Sequence, residues 1–307
     1  MILAAGLTPA WQQIVLLDSW HPGEVNRARE VHWCASGKVL NVALALHHLG
    51  AEVQTVALVG GRNGNAIRAE FERTGIAAHW VEASAPTRVC TTILDTGSAT
   101  TTELVENSPP ATTAELATFQ QRYAAAAQSA QFVVLSGSLP KGTPMNYYRE
   151  LLRHTPGKAI LDMRGRELIE ALDAKPFLVK PNREELAATV GRDLRDDAGV
   201  LAAMRELNAR GAEWVLVSQG RHAVRLASRA AAYELTPPAT AAVVNPIGCG
   251  DCLAAGIAWA LERGTEPVEA VRIGMAAAAD NLGQLFPARL NRQRVESLAR
   301  SIAVRSL

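Results

Sequence analysis

The segment Asn245-Pro-Ile-Gly-Cys-Gly-Asp251 carries the strongest chemical signal in the chain. It follows the apolar run Ala241 to Val244 and precedes a helical pattern beginning near Asp251, so it reads as a strand, a glycine-rich turn and a helix start. Small residues let the main chain approach a ligand, and the free N–H groups at a helix start would converge on an anion, for which phosphate is the natural guest. The helix dipole and nearby donors would hold Asp251 ionised, and a carboxylate beside a phosphoryl acceptor can take a proton from an attacking hydroxyl. The same string also suits a plain turn with Asp251 as N-cap. It is neither a Walker A loop, which needs Gly-Lys-Ser/Thr, nor a Rossmann fingerprint, which belongs after the first strand.

Three further segments have polar residues where a strand gives way to a helix. Lys180-Pro-Asn-Arg-Glu-Glu185 follows the strand candidate Phe177 to Val179. Asn182 and Glu185 have the spacing of a capping box, while in a functional reading Glu185, directly or through water, helps to hold Mg on nucleotide phosphates. In Ala35-Ser-Gly-Lys-Val-Leu-Asn41, Gly37 permits close approach, Lys38 offers a point charge, and Asn41 offers donors and acceptors to a polyol. Ser136-Gly-Ser-Leu-Pro140, with Ser138 at its centre, follows the buried strand candidate Phe132 to Leu135, at the strand end where open α/β sheets place ligands. Cys249 and Cys252 form a C-x-x-C, but zinc requires four ligands and no second pair at metal spacing accompanies them.

The elements that must position these residues follow from composition and pattern. The chain has 307 residues, 48% hydrophobic and 20% charged, enough for a large core. Thirty-one basic against thirty acidic side chains give a net charge of +1, which excludes a field able to hold nucleic acid or an anionic membrane surface. The longest uncharged stretch, Ile2 to Leu17, is broken by Pro9, Gln12 and Gln13 and lacks a basic lead-in, so it reads as a buried first strand rather than a signal or a membrane span. Four cysteines without an export signal suggest reduced thiols and a cytoplasmic protein. Strands are expected at Ile2–Leu7, Val53–Val59, Ala77–Val81, Phe132–Leu135, Ala159–Leu161, Phe177–Val179 and Trp214–Val217. Helices are expected at Val39–Leu49, Ala66–Arg73, Thr113–Ala127 and Pro144–Leu152, from Arg183 onward, and near 251–263, 267–284 and 291–304. That alternation predicts an α/β fold with a mostly parallel sheet covered on both faces. Two β-rich stretches, about 8–34 and 86–106, interrupt it and would form a small shared sheet over one end, giving a single domain across 1–307 with a discontinuous lid.

Taken in order, these segments resemble the PfkB (ribokinase-like) sugar kinases, in particular the branch of 1-phosphofructokinases and tagatose-6-phosphate kinases. The resemblance rests on Gly-Glu-Val-Asn at 23–26, Gly37-Lys-x-x-Asn41, Thr87-Arg88, Ser136 to Pro140, Lys180-Pro-Asn-x-x-Glu185, Ser218-x-Gly220 and Gly248-x-Gly-Asp251, and it spans nearly the whole chain. It implies a three-layer α/β/α sandwich and Mg-assisted transfer of the γ-phosphoryl of ATP to a sugar hydroxyl. Asp251 would match the base and the Gly248, Cys249 and Gly250 amides the anion hole. Asn182, Ser218, Gly220, Gly250 and Asn281 would match the nucleotide site, with Glu185 at Mg. Gln12, Gly37, Lys38, Asn41, Ser138 and Asp251 would face the sugar, and Arg88, supported by Lys38, would meet a phosphate already on it. The family's lid often mediates dimers. A kinase of an unphosphorylated sugar or nucleoside, or a sugar-phosphate binder with little turnover, are the competing readings. Gln12 stands where relatives carry a carboxylate that grips sugar hydroxyls. Asp162-Met-Arg-Gly165 replaces the usual Asp-Ser-Ser/Gly, Arg221-His-Ala223 stands where a second glycine is expected, and Asn245-Pro246 replaces Asp/Ser-Thr.

Overall fold

The computed structural model of the chain describes residues 1–239 and 243–307. Its first half runs β1 (Ile2–Gly6), β2 (Ala10–Leu17), β3 (Glu30–Ser36), α1 (Lys38–His48), β4 (Val53–Val59), α2 (Gly61–Thr74), β5 (Ala77–Glu82), β6 (Val89–Asp95), β7 (Thr100–Val105) and α3 (Thr113–Ala127). The second half holds β8 (Phe132–Ser136), α4 (Tyr147–Leu152), β9 (Lys158–Asp162), α5 (Gly165–Ala171), β10 (Leu178–Val179), α6 (Arg183–Val190), α7 (Asp197–Arg210) and β11 (Trp214–Val217). It closes with β12 (Val224–Ala227), β13 (Ala232–Thr236), α8 (Cys249–Glu262), α9 (Pro267–Leu282), α10 (Arg292–Ala299) and β14 (Ala303–Ser306).

Local sequence explains the clearest elements. In α1 the apolar residues recur at three- and four-residue spacing, and Val39, Leu40, Leu44 and Leu46 are fully or almost fully buried. Burial of that size stabilises by about 2 kcal/mol per side chain. Helix α3 starts on a capping box in which Thr112 accepts from the Glu115 N–H while the Glu115 carboxylate accepts from the Thr112 N–H.

Ten strands form one sheet in the order β14-β13-β12-β11-β10-β9-β8-β1-β4-β5. The pairs from β11 across to β5 are parallel, and the edge from β11 to β14 is antiparallel. One apolar layer packs α1, α2, α8, α9 and α10 on one face, and another packs α3 to α7 on the other. The result is the expected three-layer α/β/α sandwich. Strand β1 lies between β8 and β4, so strand order reverses there and leaves a crevice at the carboxyl ends of the strands. Beside it stands a separate four-stranded sheet, β3-β2-β6-β7, drawn from two stretches far apart in sequence.

Several expectations are corrected. Helices α5 and α7 and the antiparallel strands β12 and β13 lie where no element was expected, and the helix expected over 291–304 ends at Ala299, with Ala303–Ser306 completing the sheet edge as β14. Of the strand expected at Ala241–Val244, Ala241 and Ala242 lie outside the described residues, and Val243 and Val244 are irregular. Among the described residues no helix is long and apolar enough to cross a membrane.

Candidate active site

The strand ends and the smaller sheet enclose a cavity of about 1060 Å³, large enough for two small ligands side by side. Gln12, Gly37, Lys38, Asn41, Arg88, Asn182, Glu185, Ser218, Gly220 and Gly248 to Asp251 all line it. Two expected residues do not: Ser138 is exposed outside it, and Asn281 is fully buried behind it.

At one wall α8 begins without a side-chain cap. Gly248 is its N-cap at φ +84°, and a Cβ there would lie 3.0 Å from the Pro287 Cβ and 3.4 Å from the Asn41 Nδ2, so both conformation and space demand glycine. The Cys252 N–H donates to the Gly248 carbonyl at 2.8 Å, and the Cys249 N–H reaches the Pro246 carbonyl only at 3.4 Å. Among the described residues no protein acceptor takes the Gly248, Gly250 or Asp251 N–H groups, so the free donors include both glycines of the expected Gly248 to Gly250 set and extend to Asp251. Asn281 holds this turn in place. Its Nδ2 donates to the Ile247 carbonyl at 2.9 Å, and its Oδ1 accepts from the Ala288 N–H at 2.7 Å. It therefore braces the glycine-rich turn from behind, outside the cavity lining.

Asp251, in the first turn of α8, is buried, and its Oδ2 accepts from the Asn41 Nδ2 at 2.7 Å. Asn41 in turn accepts from the Ser36 hydroxyl at 3.0 Å, which orients its amide toward Asp251 while it lines the cavity. Burial pushes the Asp251 carboxyl up to about 7 and the charge of Asp162 adds to this, while Lys38, Asn41 and Lys180 pull it down. Burial beside a second carboxylate thus works against the expectation that the helix start keeps it ionised. A carboxylate poised near neutrality suits a general base.

Beneath Asp251 lies an ion network that local motifs did not reveal. Asp162 ends β9 and Lys180 follows β10, and the parallel register Leu161 to Val179 sets them side by side. Asp162 Oδ1 accepts from Lys38 Nζ at 2.9 Å, and its Oδ2 lies 3.2 Å from Lys180 Nζ. Burial would raise the Asp162 carboxyl, but Lys180 and Lys38 overcome it and hold it below the usual carboxylate range. Burial likewise opposes the Lys38 charge, yet Asp162, Glu185 and Asp251 outweigh it and keep the ammonium above its ordinary value. Lys38 thus joins this network, 3.7 Å from Glu185, while still lining the cavity. Lys180 also points under the cradle, 3.5 Å from where a Cβ on Gly250 would be.

Asn182 and Glu185 do form the capping box of α6: Asn182 Oδ1 accepts from the Glu185 N–H at 2.8 Å and Glu185 Oε2 from the Asn182 N–H at 2.9 Å. That leaves Glu185 Oε1 on the cavity side. Opposite, Arg88 donates to the carbonyls of Thr8 (3.0 Å), Pro9 (3.3 Å) and Glu106 (3.1 Å), which fixes its plane and leaves part of the fork for a ligand. Gln12 Nε2 donates to the Thr92 hydroxyl at 2.8 Å. At Gly37, φ is +86° and a Cβ would meet the Ala10 nitrogen at 2.8 Å, so α1 can start this close to β2 only through glycine. Pro237, Leu253, Met275, Ala278 and Leu282 supply an apolar wall near Ser218 and Gly220, suited to a flat ring.

The model for the pfkB family of carbohydrate kinases matches residues 2–285. A 1-phosphofructokinase of Haloferax volcanii is 32% identical over 284 residues, covering 92% of this chain and 91% of that one. A 1-phosphofructokinase of Rhodobacter capsulatus is 32% identical over 313 residues, covering 100% of this chain and 98% of that one. Among solved structures, phosphofructokinase-2 from Escherichia coli in complex with fructose-6-phosphate superposes with a TM-score of 0.87 at 24% identity, covering 98% of this chain and 99% of that one.

Proposed function

This chain belongs to the pfkB family of carbohydrate kinases, and we propose that it transfers the γ-phosphoryl group of ATP to a hydroxyl of a ketohexose phosphate. Fructose 1-phosphate comes first, as the relatives named 1-phosphofructokinase favour it, and tagatose 6-phosphate is the next candidate. The observation that carries this reading is the Asp251 carboxyl, buried, pushed up to about 7 and set in the same helix turn as two unclaimed N–H groups.

In the reaction, Asp251 takes the proton of the sugar hydroxyl as its oxygen bonds to the γ-phosphorus. The bond from that phosphorus to the bridging oxygen breaks, and ADP leaves with the electron pair. The Gly250 and Asp251 N–H groups face the equatorial phosphoryl oxygens, where each donor aimed at developing charge contributes on the order of 3 kcal/mol. Lys38 and Lys180 offset charge from the acceptor side, and the apolar wall beside Ser218 and Gly220 takes the nucleotide base.

Mg fits this donor set as an ion held chiefly by the nucleotide. Among the described residues no group of three or more His, Cys, Asp or Glu could hold a metal, while Glu185 keeps one carboxylate oxygen outside its capping box. Mg is commonly held by one or two carboxylates, phosphate oxygens and waters. Bound there, it would neutralise phosphate charge.

The smaller sheet acts as the lid, closing on the sugar to exclude the water that would compete as acceptor. Its outer face carries Trp11 stacked on Trp33 at 6.3 Å between centroids, with Val31, Trp33 and Leu104 exposed. We assign this face to a homodimer, within the cytoplasm where ATP is available and free thiols persist. Trp33→Lys is expected to shift the protein to monomer in light scattering; an unchanged mass would remove this face from the interface.

A coupled ADP-release assay over hexoses, hexose phosphates and nucleosides tests the activity. Turnover is expected on a ketohexose phosphate. Silence with every acceptor, while a sugar phosphate still raises the melting temperature, would mark a binder without transfer. Arg88→Ala is expected to raise the KM for the phosphorylated sugar about tenfold or more with a smaller change in kcat, since a fork held by three carbonyls is set for an anion. An unchanged KM would remove Arg88 from the phosphate contact.

A further inference from the structure

The inner face of the smaller sheet presents one carboxylate to the acceptor end of the cavity, and it is not at position 12. Strand register places Gln12 beside Cys90, Cys90 beside Val105, and Thr92 beside Glu103, so Gln12, Thr92 and Glu103 share the face toward the cavity, which Glu103 lines together with Gln12 and Arg88. Among the described residues no donor hydrogen-bonds to the Glu103 carboxylate, and no cation forms an ion pair with it. The neighbouring amide is differently placed: Gln12 Nε2 is taken by Thr92.

A polyol docking here needs acceptors to orient its hydroxyls, and a carboxylate is the strongest acceptor available. Burial pushes the Glu103 carboxyl up while the Arg88 charge pulls it down, so the two groups sense each other across the same space. A phosphate dianion is attracted by Arg88 and repelled by Glu103, so the pair gives this end of the site a direction.

We propose that Glu103 is a substrate-contacting specificity residue, whose carboxylate accepts a hydrogen bond from an acceptor-sugar hydroxyl and confines the substrate phosphate to the Arg88 side. The assignment rests on the kinase reading above. It means that Glu103 sorts isomeric ketohexose monophosphates by which end carries the phosphate, and so helps to decide which hydroxyl meets Asp251.

The experiment compares wild type with Glu103→Gln on fructose 1-phosphate, fructose 6-phosphate and tagatose 6-phosphate, by steady-state kinetics and by calorimetric binding without nucleotide. Losing a charge-assisted hydrogen bond is expected to raise the KM for the preferred isomer about tenfold or more, with kcat within about threefold, and to shrink the preference among isomers. The unliganded melting temperature should stay within about a degree, because Glu103 is exposed and, among the described residues, its side chain makes no hydrogen bond or ion pair. A KM and an isomer preference within twofold of wild type, or a lowered KM, would overturn the assignment. If wild type turns over none of the three sugars, the kinase reading fails by itself, and the calorimetric ratio between the two proteins still decides the role of Glu103.

Discussion

Replacing Asp251 by asparagine is expected to lower kcat by about 10²- to 10⁴-fold while sugar-phosphate affinity changes only a few fold. Asparagine keeps the shape and can still accept from Asn41 Nδ2, so the cradle should survive and only the proton acceptor is lost. A second consequence runs the other way. The Asp251 carboxyl sits near 7 in the folded chain against an ordinary 3.8. Between about pH 4 and 7 the folded protein therefore holds a proton that the unfolded chain releases, and stability falls as pH rises through that window. At pH 8 the wild type carries the full cost of a buried charge that Asp251→Asn lacks. The variant should melt higher than wild type at pH 8, and the gap should close toward pH 4. In wild type, kcat/KM should fall as pH drops below about 7, because the base becomes protonated. A variant that keeps more than a tenth of wild-type kcat would exclude Asp251 as the base, and a melting gap independent of pH would exclude the buried charge.

The parts of this site legible in sequence are those written in a single turn of chain. Gly248-x-Gly-Asp251 and Asn182-x-x-Glu185 are local strings whose spacing alone sets N–H groups or caps at a helix start, and the alternation of strands and helices was enough for the layered fold. What local strings do not contain is register. Asp162 and Lys180 meet because β9 and β10 pair with Leu161 beside Val179, and nothing within either segment announces the partner. The hydrogen bond from Lys38 to a buried carboxylate on another strand is likewise invisible in its own segment. The same gap explains Glu103, which in sequence is one polar residue of a Thr-rich ribbon and becomes distinctive only when the register with Thr92 turns it inward. Strands β12 to β14 are not legible in the sequence because four- and five-residue pieces gain their stability from neighbours rather than from pattern. The ionisation of Asp251 is hidden for a related reason: the helix start is local, whereas burial and Asp162 act through space.

That network makes Asp162 the residue whose loss should be felt most widely. Its side chain is 1% exposed and that of Lys180 4%, and both of its oxygens face ammonium groups. Asp162→Ala leaves Lys180 buried without a counter-charge and frees Lys38, a change that typically destabilises by about 3–5 kcal/mol. It should appear as a lower denaturant midpoint at an unchanged slope. The milder Asp162→Asn separates fold from chemistry. Removing the Asp162 charge removes a repulsion that raises Asp251, and it leaves Lys38 and Lys180 to pull on Asp251 alone. Both effects act in one direction, so the acid limb of kcat/KM should move below its wild-type position near pH 7, even as kcat drops because the lysines are no longer held in place. A limb that stays put would mean that Asp162 anchors the lysines without tuning the base, and the coupling between strand register and proton transfer would have to be abandoned.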